Sequence, residues 1–263
     1  MSKSHNFRFP AGMPDVFDLR VKLCRAEVID QWVYNGIIHP CWLLYWNPDR
    51  GAEIHYEGRV WEMTADRVFL IPPFTRFSTR SARIFRHCYI HFETTPPFDR
   101  VRRGILTFSS EMIRNFFRKL EEENTQESAP ALLHGLLCHY LCEIPDEQFL
   151  EPGTSILAPV IRRAAELMNK HLQEPLPNRE LCRKSGLNLN DFYRQFRKEM
   201  GMTPKRYLLS LRMEQAREKL LHSDLPLEEI AEQTGYADRF HFSKAFRNFY
   251  GEPPASYRKK YGL

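Results

Sequence analysis

The stretch Leu181 to Tyr207, LCRKSGLNLNDFYRQFRKEMGMTPKRY, returns further along the chain as Ile230 to Tyr257, IAEQTGYADRFHFSKAFRNFYGEPPASY. Laid together, Gly186 matches Gly235, Phe192 matches Phe242, Phe196 matches Phe246, Gly201 matches Gly251, Pro204 matches Pro254 and Tyr207 matches Tyr257. One residue inserted after the first glycine of the second copy raises the offset from 49 to 50. Repetition at this spacing means that one small folding unit is used twice. Each copy reads as helix, glycine turn, helix, a pattern suited to placing its second helix in a DNA major groove.

Local chemistry supports that reading. Asn188 stands where a helix N-cap belongs, and Asp191 three residues on completes an imperfect capping box. The helix that follows turns Phe192 and Phe196 inward and stops near Gly201, with Pro204 beyond it. In the second copy Asp238 caps, Phe242 and Phe246 point inward, and Gly251 with Pro253 and Pro254 marks the end. The inward phenylalanines fix the opposite face. It carries Leu189, Asn190, Tyr193, Arg194 and Arg197 in the first copy, and Arg239, Phe240, Ser243, Lys244 and Arg247 in the second. Such side chains at an exposed helix start can reach base edges and phosphates. A helical bundle with a solvated basic face is the alternative, and two copies of matched polarity weigh against it.

With these residues in view, the segment from Ser155 to Tyr261 resembles the AraC/XylS family of bacterial transcription regulators. The resemblance rests on Leu181, Gly186, Phe192, Arg194, Phe196, Gly201, Thr203-Pro204, Tyr207 and Leu208. It continues through Arg212, Ala216, Leu220-Leu221, Ile230-Ala231, Gly235-Tyr236, Phe242, Phe246, Gly251, Pro254 and Tyr257-Arg258. It implies two helix-turn-helix units joined by one long helix, here Pro204 to His222, with an apolar stripe of Leu208, Leu211, Ala216 and Leu220. The family's base-reading positions fall on Asn190, Tyr193 and Arg194, then on Arg239, Phe240, Ser243 and Lys244. Phe240 departs from the polar residue expected there, and suits either contact with a thymine methyl or a backbone-holding role.

Charge follows the same division. From Pro152 onward Lys and Arg outnumber Asp and Glu 20 to 13, whereas the whole chain carries 38 against 33, so the preceding residues are slightly acidic. Positive charge gathered in the repeat-bearing half is what phosphate neutralisation requires. The chain is long enough for two cored domains. It has no apolar run of about 18 residues, so no membrane partner is expected. The opening MSKSHNFRFP lacks an apolar core, and six cysteines (24, 41, 88, 138, 142, 182) show no framework spacing. Both point to a cytoplasmic protein with reduced thiols.

The N-terminal half carries short runs rich in β-branched and aromatic residues: Cys41 to Trp46, Ala52 to Tyr56, Arg59 to Thr64, Arg67 to Ile71 and Arg83 to Phe92. Glu57-Gly58 forms a tight hairpin turn between two of them, and Pro72-Pro73 stops another. These predict an antiparallel barrel or jelly roll. The segments GRVWEMTADRVFLIPP and HCYIHF resemble, loosely, the cupin-type effector domain that many AraC relatives carry.

His87, Tyr89 and His91 share one strand face. Their spacing does not match the His-x-His of a metal-binding cupin, so no metal site is predicted. The family parallel puts His87, Tyr89 and Arg50 in an effector pocket; the alternative makes His87 and Tyr89 barrel-filling residues. Trp32, Trp42, Trp46 and Trp61 suit a sugar, on whose apolar face flat rings stack, and suit an aromatic core nearly as well.

Ser109 to Asn124 and Ser128 to Ile144 read as amphipathic helices with apolar faces Met112, Ile113, Phe116, Phe117, Leu120 and Leu132, Leu133, Leu136, Leu137, Leu141. Related regulators dimerise through helices in this position; packing on the barrel is the alternative. On the second helix His134, Cys138 and Cys142 share a face, read as buried thiols before a metal site. PDEQFLEPGT, residues 145–154, reads as a linker.

The expected fold is therefore α+β: an antiparallel β-barrel over 1–108, a helical pair over 109–144, the linker, and an all-α domain with two helix-turn-helix units over 155–263. The expected function is a DNA-binding transcription activator and homodimer that responds to a carbohydrate-type small molecule and works with RNA polymerase. Double-stranded DNA is its principal partner, and neither cofactor, metal nor catalytic residue is assigned. The alternatives are a ligand-independent regulator whose barrel only dimerises, and a cupin-type metalloenzyme.

Overall fold

The computed structural model describes residues 17–120, 127–151, 153–174 and 187–261. The expected first helix of the first repeat, Leu181 with Cys182 and the turn Gly186, lies outside these residues, as do the end of the first amphipathic helix and Pro152. The chain divides into two compact units, residues 1–35 with 41–156, and residues 36–40 with 157–263.

Among the described residues nine strands form two sheets. They are β1 (Leu19–Ile29), β2 (Tyr34–Ile38), β3 (Trp42–Trp46), β4 (Ala52–Tyr56), β5 (Arg59–Glu62), β6 (Arg67–Ile71), β7 (Arg76–Ser81), β8 (Phe85–Thr94) and β9 (Leu106–Ser109). One sheet runs β1-β8-β3-β6-β9 and the other β2-β7-β4-β5. The ladders β1·β8, β3·β8, β3·β6, β6·β9, β4·β5 and β4·β7 are all antiparallel. Glu57 (φ 48°) and Gly58 (φ 76°) both take left-handed conformations between the paired residues Tyr56 and Arg59. Those are the angles of a two-residue type I′ hairpin.

All five residues of β3 are buried, and so are Phe85 and His87 to Phe92 of β8. A strand without a polar side is one covered on both faces. The cover on one face is the pair α1 (Glu111–Leu120) and α2 (Ala129–Cys142). Trp42, Leu44, Trp46, Cys88, Ile90 and Phe92 share a core with Ile113 and Phe116 of α1 and with Leu136, Leu137, Tyr140 and Leu141 of α2. Most of the apolar surface read as a dimerisation face is therefore spent on the protein's own barrel. The physical reason is that the wide, wholly apolar back of the sheet has to be covered. Met112 is the member of that set left exposed.

The linker stretch is tied down over its first half. Arg102 N–H donates to Gln148 O, Leu150 N–H to Arg100 O, and the Arg100 guanidinium to Leu150 O, at 2.8–2.9 Å.

In the second unit lie α3 (Pro159–Lys170), α4 (Leu189–Met200), α5 (Pro204–His222), α6 (Leu227–Gln233), α7 (Arg239–Tyr250) and α8 (Pro254–Tyr261). The long joining helix takes the span its sequence predicted. Thr203 Oγ1 accepts from Arg206 N–H at 3.3 Å and Pro204 occupies the first turn, where its missing N–H costs nothing. Its N-terminal half serves the first repeat: Tyr207 meets Phe196. Its C-terminal half serves the second: Met213, Ala216, Leu220 and Leu221 form a core with Ile230, Ala231, Phe242, Phe246 and Tyr257. Among the described residues no helix is long and apolar enough to cross a membrane.

Candidate nucleic-acid interface and effector chamber

The two repeats converge on the same local solution. Asn188 Oδ1 accepts from Asp191 N–H at 2.9 Å, and its amide donates to the Asp191 carboxylate at 2.6 Å. The reciprocal half of the capping box is thus made side chain to side chain. Asp238 Oδ1 accepts from the N–H groups of Phe240 and His241, each at 2.8 Å. Both helices end on a left-handed glycine, Gly201 at φ 67° and Gly251 at φ 86°. Phe192, Phe196, Phe242 and Phe246 are fully buried, so the outward faces of α4 and α7 are fixed by packing.

On α4 the outward face presents Asn190, Arg194 and Arg197 exposed, with Tyr193 half-buried. On α7 it presents Arg239, Phe240, Lys244 and Arg247 exposed, with Ser243 half-buried. Each sequence-predicted contact residue therefore lies on its expected helix. Phe240, at 72% exposure, is the most open of the large apolar side chains recorded; leaving a phenyl ring in water has a cost. The Arg239 guanidinium lies over that ring, 4.9 Å from its centroid, and pairs with Glu228 on α6 at 2.8 Å. Arg194 pairs with Asp191 at 2.7 Å. Both arginines are thus held by a carboxylate beside the helix start.

His241 was not singled out from sequence. Its Nδ1 lies 2.7 Å from Asp238 Oδ2 and the side chain is 77% exposed, so it adds a ring to the outer first turn of α7. The His241 backbone N–H, first, and its imidazole hold the Asp238 carboxyl below its usual range. The signal for it was the i, i+3 spacing of Asp238 and His241.

In the barrel, the residues of β8 split by face. Phe85, His87, Tyr89 and His91 turn toward the second sheet, where Tyr45, on the same side, meets Phe77 of β7 at 6.3 Å. His87 sits among Trp32 (4.7 Å), Tyr45 (4.8 Å) and Tyr89 (5.2 Å, stacked). Its Nδ1 lies 2.7 Å from Asn47 Oδ1, an acceptor, which places the ring proton on Nδ1. The Tyr89 hydroxyl donates to Glu27 at 2.9 Å. Thr79, on the same face of β7 as Phe77, is fully buried, and its hydroxyl has no hydrogen-bond partner among the described residues.

His87 and Tyr89 are thus brought together inside the barrel, whereas Arg50 is exposed on the loop after β3. That loop is anchored by a bidentate pair between Asp49 and Arg86. Trp42 and Trp46 belong to the core against the helices rather than to the interior between the sheets. On α2, His134 Nδ1 and Nε2 lie 2.7 Å and 3.2 Å from the carbonyl oxygens of Pro130 and Leu19, so backbone acceptors engage both ring nitrogens.

Two capped, arginine-bearing helices, each behind a buried phenylalanine pair, together with the β-sheet unit define a double helix-turn-helix protein joined to a β-barrel. The family model described as a helix-turn-helix domain matches residues 181–260. The raffinose operon transcriptional regulatory protein RafR of Pediococcus pentosaceus is 36% identical over 32% of this chain and 30% of its own length. The HTH-type transcriptional activator RhaS of Salmonella schwarzengrund is 29% identical over 62% of this chain and 58% of its own. The chain thus spans less than two thirds of either relative. Apo ToxT K231A of Vibrio cholerae superposes with a TM-score of 0.68 at 14% identity, covering 91% of this chain and 97% of that one, a likeness of fold. Residues 181–260 are thus similar to the helix-turn-helix domain of these transcription regulators.

Proposed function

We propose that this protein is a sequence-specific, double-stranded-DNA-binding transcription regulator, an activator whose barrel binds a small molecule of the carbohydrate class. The observation that carries the DNA-binding half is the duplication itself. Two helices present Asn190, Tyr193, Arg194 and Arg197, and then Arg239, Phe240, Ser243, Lys244 and Arg247, each on a buried phenylalanine pair behind a side-chain cap. Arginine and asparagine read base edges bidentately, and the remaining cations neutralise phosphate. The activator reading draws on RhaS, which is named an activator.

The effector half is supported by what lines the barrel. Trp32, Tyr45, His87 and Tyr89 offer flat rings, Glu27 and Asn47 offer acceptors, and Thr79 offers an unmatched hydroxyl. Rings beside hydrogen-bonding groups suit a polyhydroxylated ligand, and RafR is named for a sugar operon. Ligand and DNA couple if the ligand prefers the DNA-competent arrangement, or its opposite. A second copy of the chain and RNA polymerase complete the partners, and the reading assigns no cofactor, metal or catalytic step.

A ligand-independent regulator is the second reading, favoured by the closed pairs His87–Asn47 and Tyr89–Glu27. Thermal-shift screening of the full chain against monosaccharides, sugar acids, aromatic acids and a fatty acid separates the two. A concentration-dependent rise with one sugar supports the effector reading; a flat response across the panel removes it and leaves the second. DNA binding is tested independently by selection from a random duplex pool.

A further inference from the structure

We propose that Arg212 is a positioning residue for DNA recognition: it clasps the two helix-turn-helix modules together and so sets the base-pair spacing the protein demands between its two half-sites. The inference rests on the DNA-binding reading above and adds a mechanism for how two separate modules act as one reader.

Arg212 lies midway along α5, the helix that joins the modules. Its Nε donates to Leu172 O at 2.7 Å and its Nη2 to Glu174 O at 2.9 Å. Both carbonyls lie just beyond the C-terminal end of α3, the end at which a helix dipole favours a cation. The other side of the same guanidinium faces the second module, 5.8 Å from the centroid of the Tyr236 ring. Gly235 makes this approach possible. It sits at φ +78°, and a Cβ there would fall 2.7 Å from Arg212 Nη2 and 2.9 Å from Gln173 Cα. Gln173 adds a bond across the same joint, donating to Gln233 O at 3.3 Å.

The other end of α3 is tied to the first recognition helix, because Ala158 N–H donates to Glu199 Oε2 on α4 at 2.8 Å. A continuous path therefore runs from α4 through Glu199, α3 and Arg212 to the turn that launches α7. Without it the described residues of the two modules are joined mainly through α5, and two bodies on a single rod can rock about it. With it, a second connection makes the pair a closed frame. Arginine suits this joint because its planar fork bonds two carbonyls while a face stacks on a ring, which the single ammonium of lysine does not reproduce. Burial also lowers the Arg212 pKa from its ordinary value, the mark of a guanidinium drawn partly out of water.

One base pair of spacing rotates a half-site by about 34° around the duplex, so a rigid reader discriminates spacing sharply and a rocking one does not. The experiment uses the full chain. A site is selected from random duplexes, and the protein is then titrated against that site, each half-site alone, and versions with one base pair inserted or removed between the halves. Wild type is expected to lose about tenfold or more on a spacing change, the scale of one misplaced base contact. Arg212→Met is expected to bind the selected site more weakly yet discriminate spacings by less than about threefold, with half-site affinities unchanged. A merely structural role lowers every affinity alike and leaves the spacing ratio intact, and that result overturns the proposal. If Arg212→Met does not fold, Arg212→Lys takes its place with the same readout, and an unaltered spacing ratio again overturns it. Wild type that selects no sequence at all sinks the DNA-binding reading itself, an outcome distinct from a selected site whose spacing discrimination survives the substitution.

Discussion

Phe196 lies against Tyr207 with ring centroids 5.7 Å apart, and Phe246 lies against Tyr257 at 5.4 Å. Within each repeat the two phenylalanines stand 5.8 Å apart, at interplanar angles of 57° and 58°. The recognition helices are held by the same aromatic joint made twice. Each joint is fully buried at its phenylalanines, so truncation leaves a cavity that the helix pair cannot close without shifting α4 or α7.

Phe196→Ala and Phe246→Ala are each expected to cost about 3–5 kcal/mol. Chemical denaturation of the full chain measures the loss, and amide hydrogen exchange locates it. Phe196→Ala should deprotect α4 and spare α7, with the reverse for Phe246→Ala. Equal deprotection of both helices by either change would mean that the modules unfold as one unit.

Arg194 and Arg247 occupy comparable outward positions but different heights on their helices. On the DNA-binding reading proposed above, Arg194, on the first turn and a half of α4, is assigned to base edges. Arg247 is two turns into α7, and the same reading assigns it to phosphate. Arg194→Ala should relax preference at one or two positions of the selected site and cost about 1–3 kcal/mol. Arg247→Ala should weaken all sequences alike and reduce the salt slope by about 1. Titration at several salt concentrations against matched and scrambled duplexes distinguishes them. An unchanged preference after Arg194→Ala would mean that the register assigned to α4 is wrong.

The caps, glycine stops and the bounds of α5 were legible in the sequence because they are set by local chemistry. So were the strands Ala52–Tyr56 and Arg67–Ile71 with their hairpin turn. Four strands were missed: β1, β2 and β9 each end a sheet, and an edge strand carries charge on its open side, as Arg20, Lys22 and Arg25 do on β1, while β7 lies inside its sheet but reads as a polar run. Glu27 and Asn47 went unmarked as chamber residues for a different reason. Glu27 meets Tyr89 only because the β1·β8 register puts it opposite His87, and a register is a long-range fact. Thr79 hides in RFSTRS, a run whose polarity gives no hint that alternate members are buried. Phe240 and His241 were visible as residues, whereas the tie of Arg239 to Glu228 needed the turn between α6 and α7 to be folded.

Acid should loosen the start of α7 before the rest of its module. The Asp238 carboxyl is held below its usual range by the His241 N–H and imidazole. A carboxyl depressed in the folded state stabilises that state above its unfolded value of about 3.9, and loses this as pH falls through the lower folded value. The loss therefore belongs below about pH 4. Asp238→Asn keeps the oxygen acceptor but not the charge, so stability should become flatter with pH in that window than in wild type. Denaturation midpoints measured from pH 2.5 to 6 test this, and parallel curves for the two proteins would sink it.

The buried hydroxyl of Thr79 gives the effector reading its sharpest test. Thr79 Oγ1 is fully enclosed and has no hydrogen-bond partner among the described residues, a condition that costs about 1–3 kcal/mol. Valine has nearly the same shape and no hydroxyl. If the chamber takes no ligand, Thr79→Val only removes an unmatched polar atom, and the barrel should melt at or above the wild-type temperature under all conditions. If a ligand hydroxyl or carboxylate completes that bond, Thr79→Val still stabilises the free protein, but the ligand-induced shift shrinks or disappears. The two melting temperatures thus move in opposite senses relative to wild type, higher without ligand and lower with it. The crossing is expected because the same hydroxyl is an unmatched burden without ligand and a contact with it. Thr79→Val that keeps the full ligand shift would place the ligand elsewhere on the protein, and Tyr89→Phe, which removes the hydroxyl now given to Glu27, would then be the next position to compare.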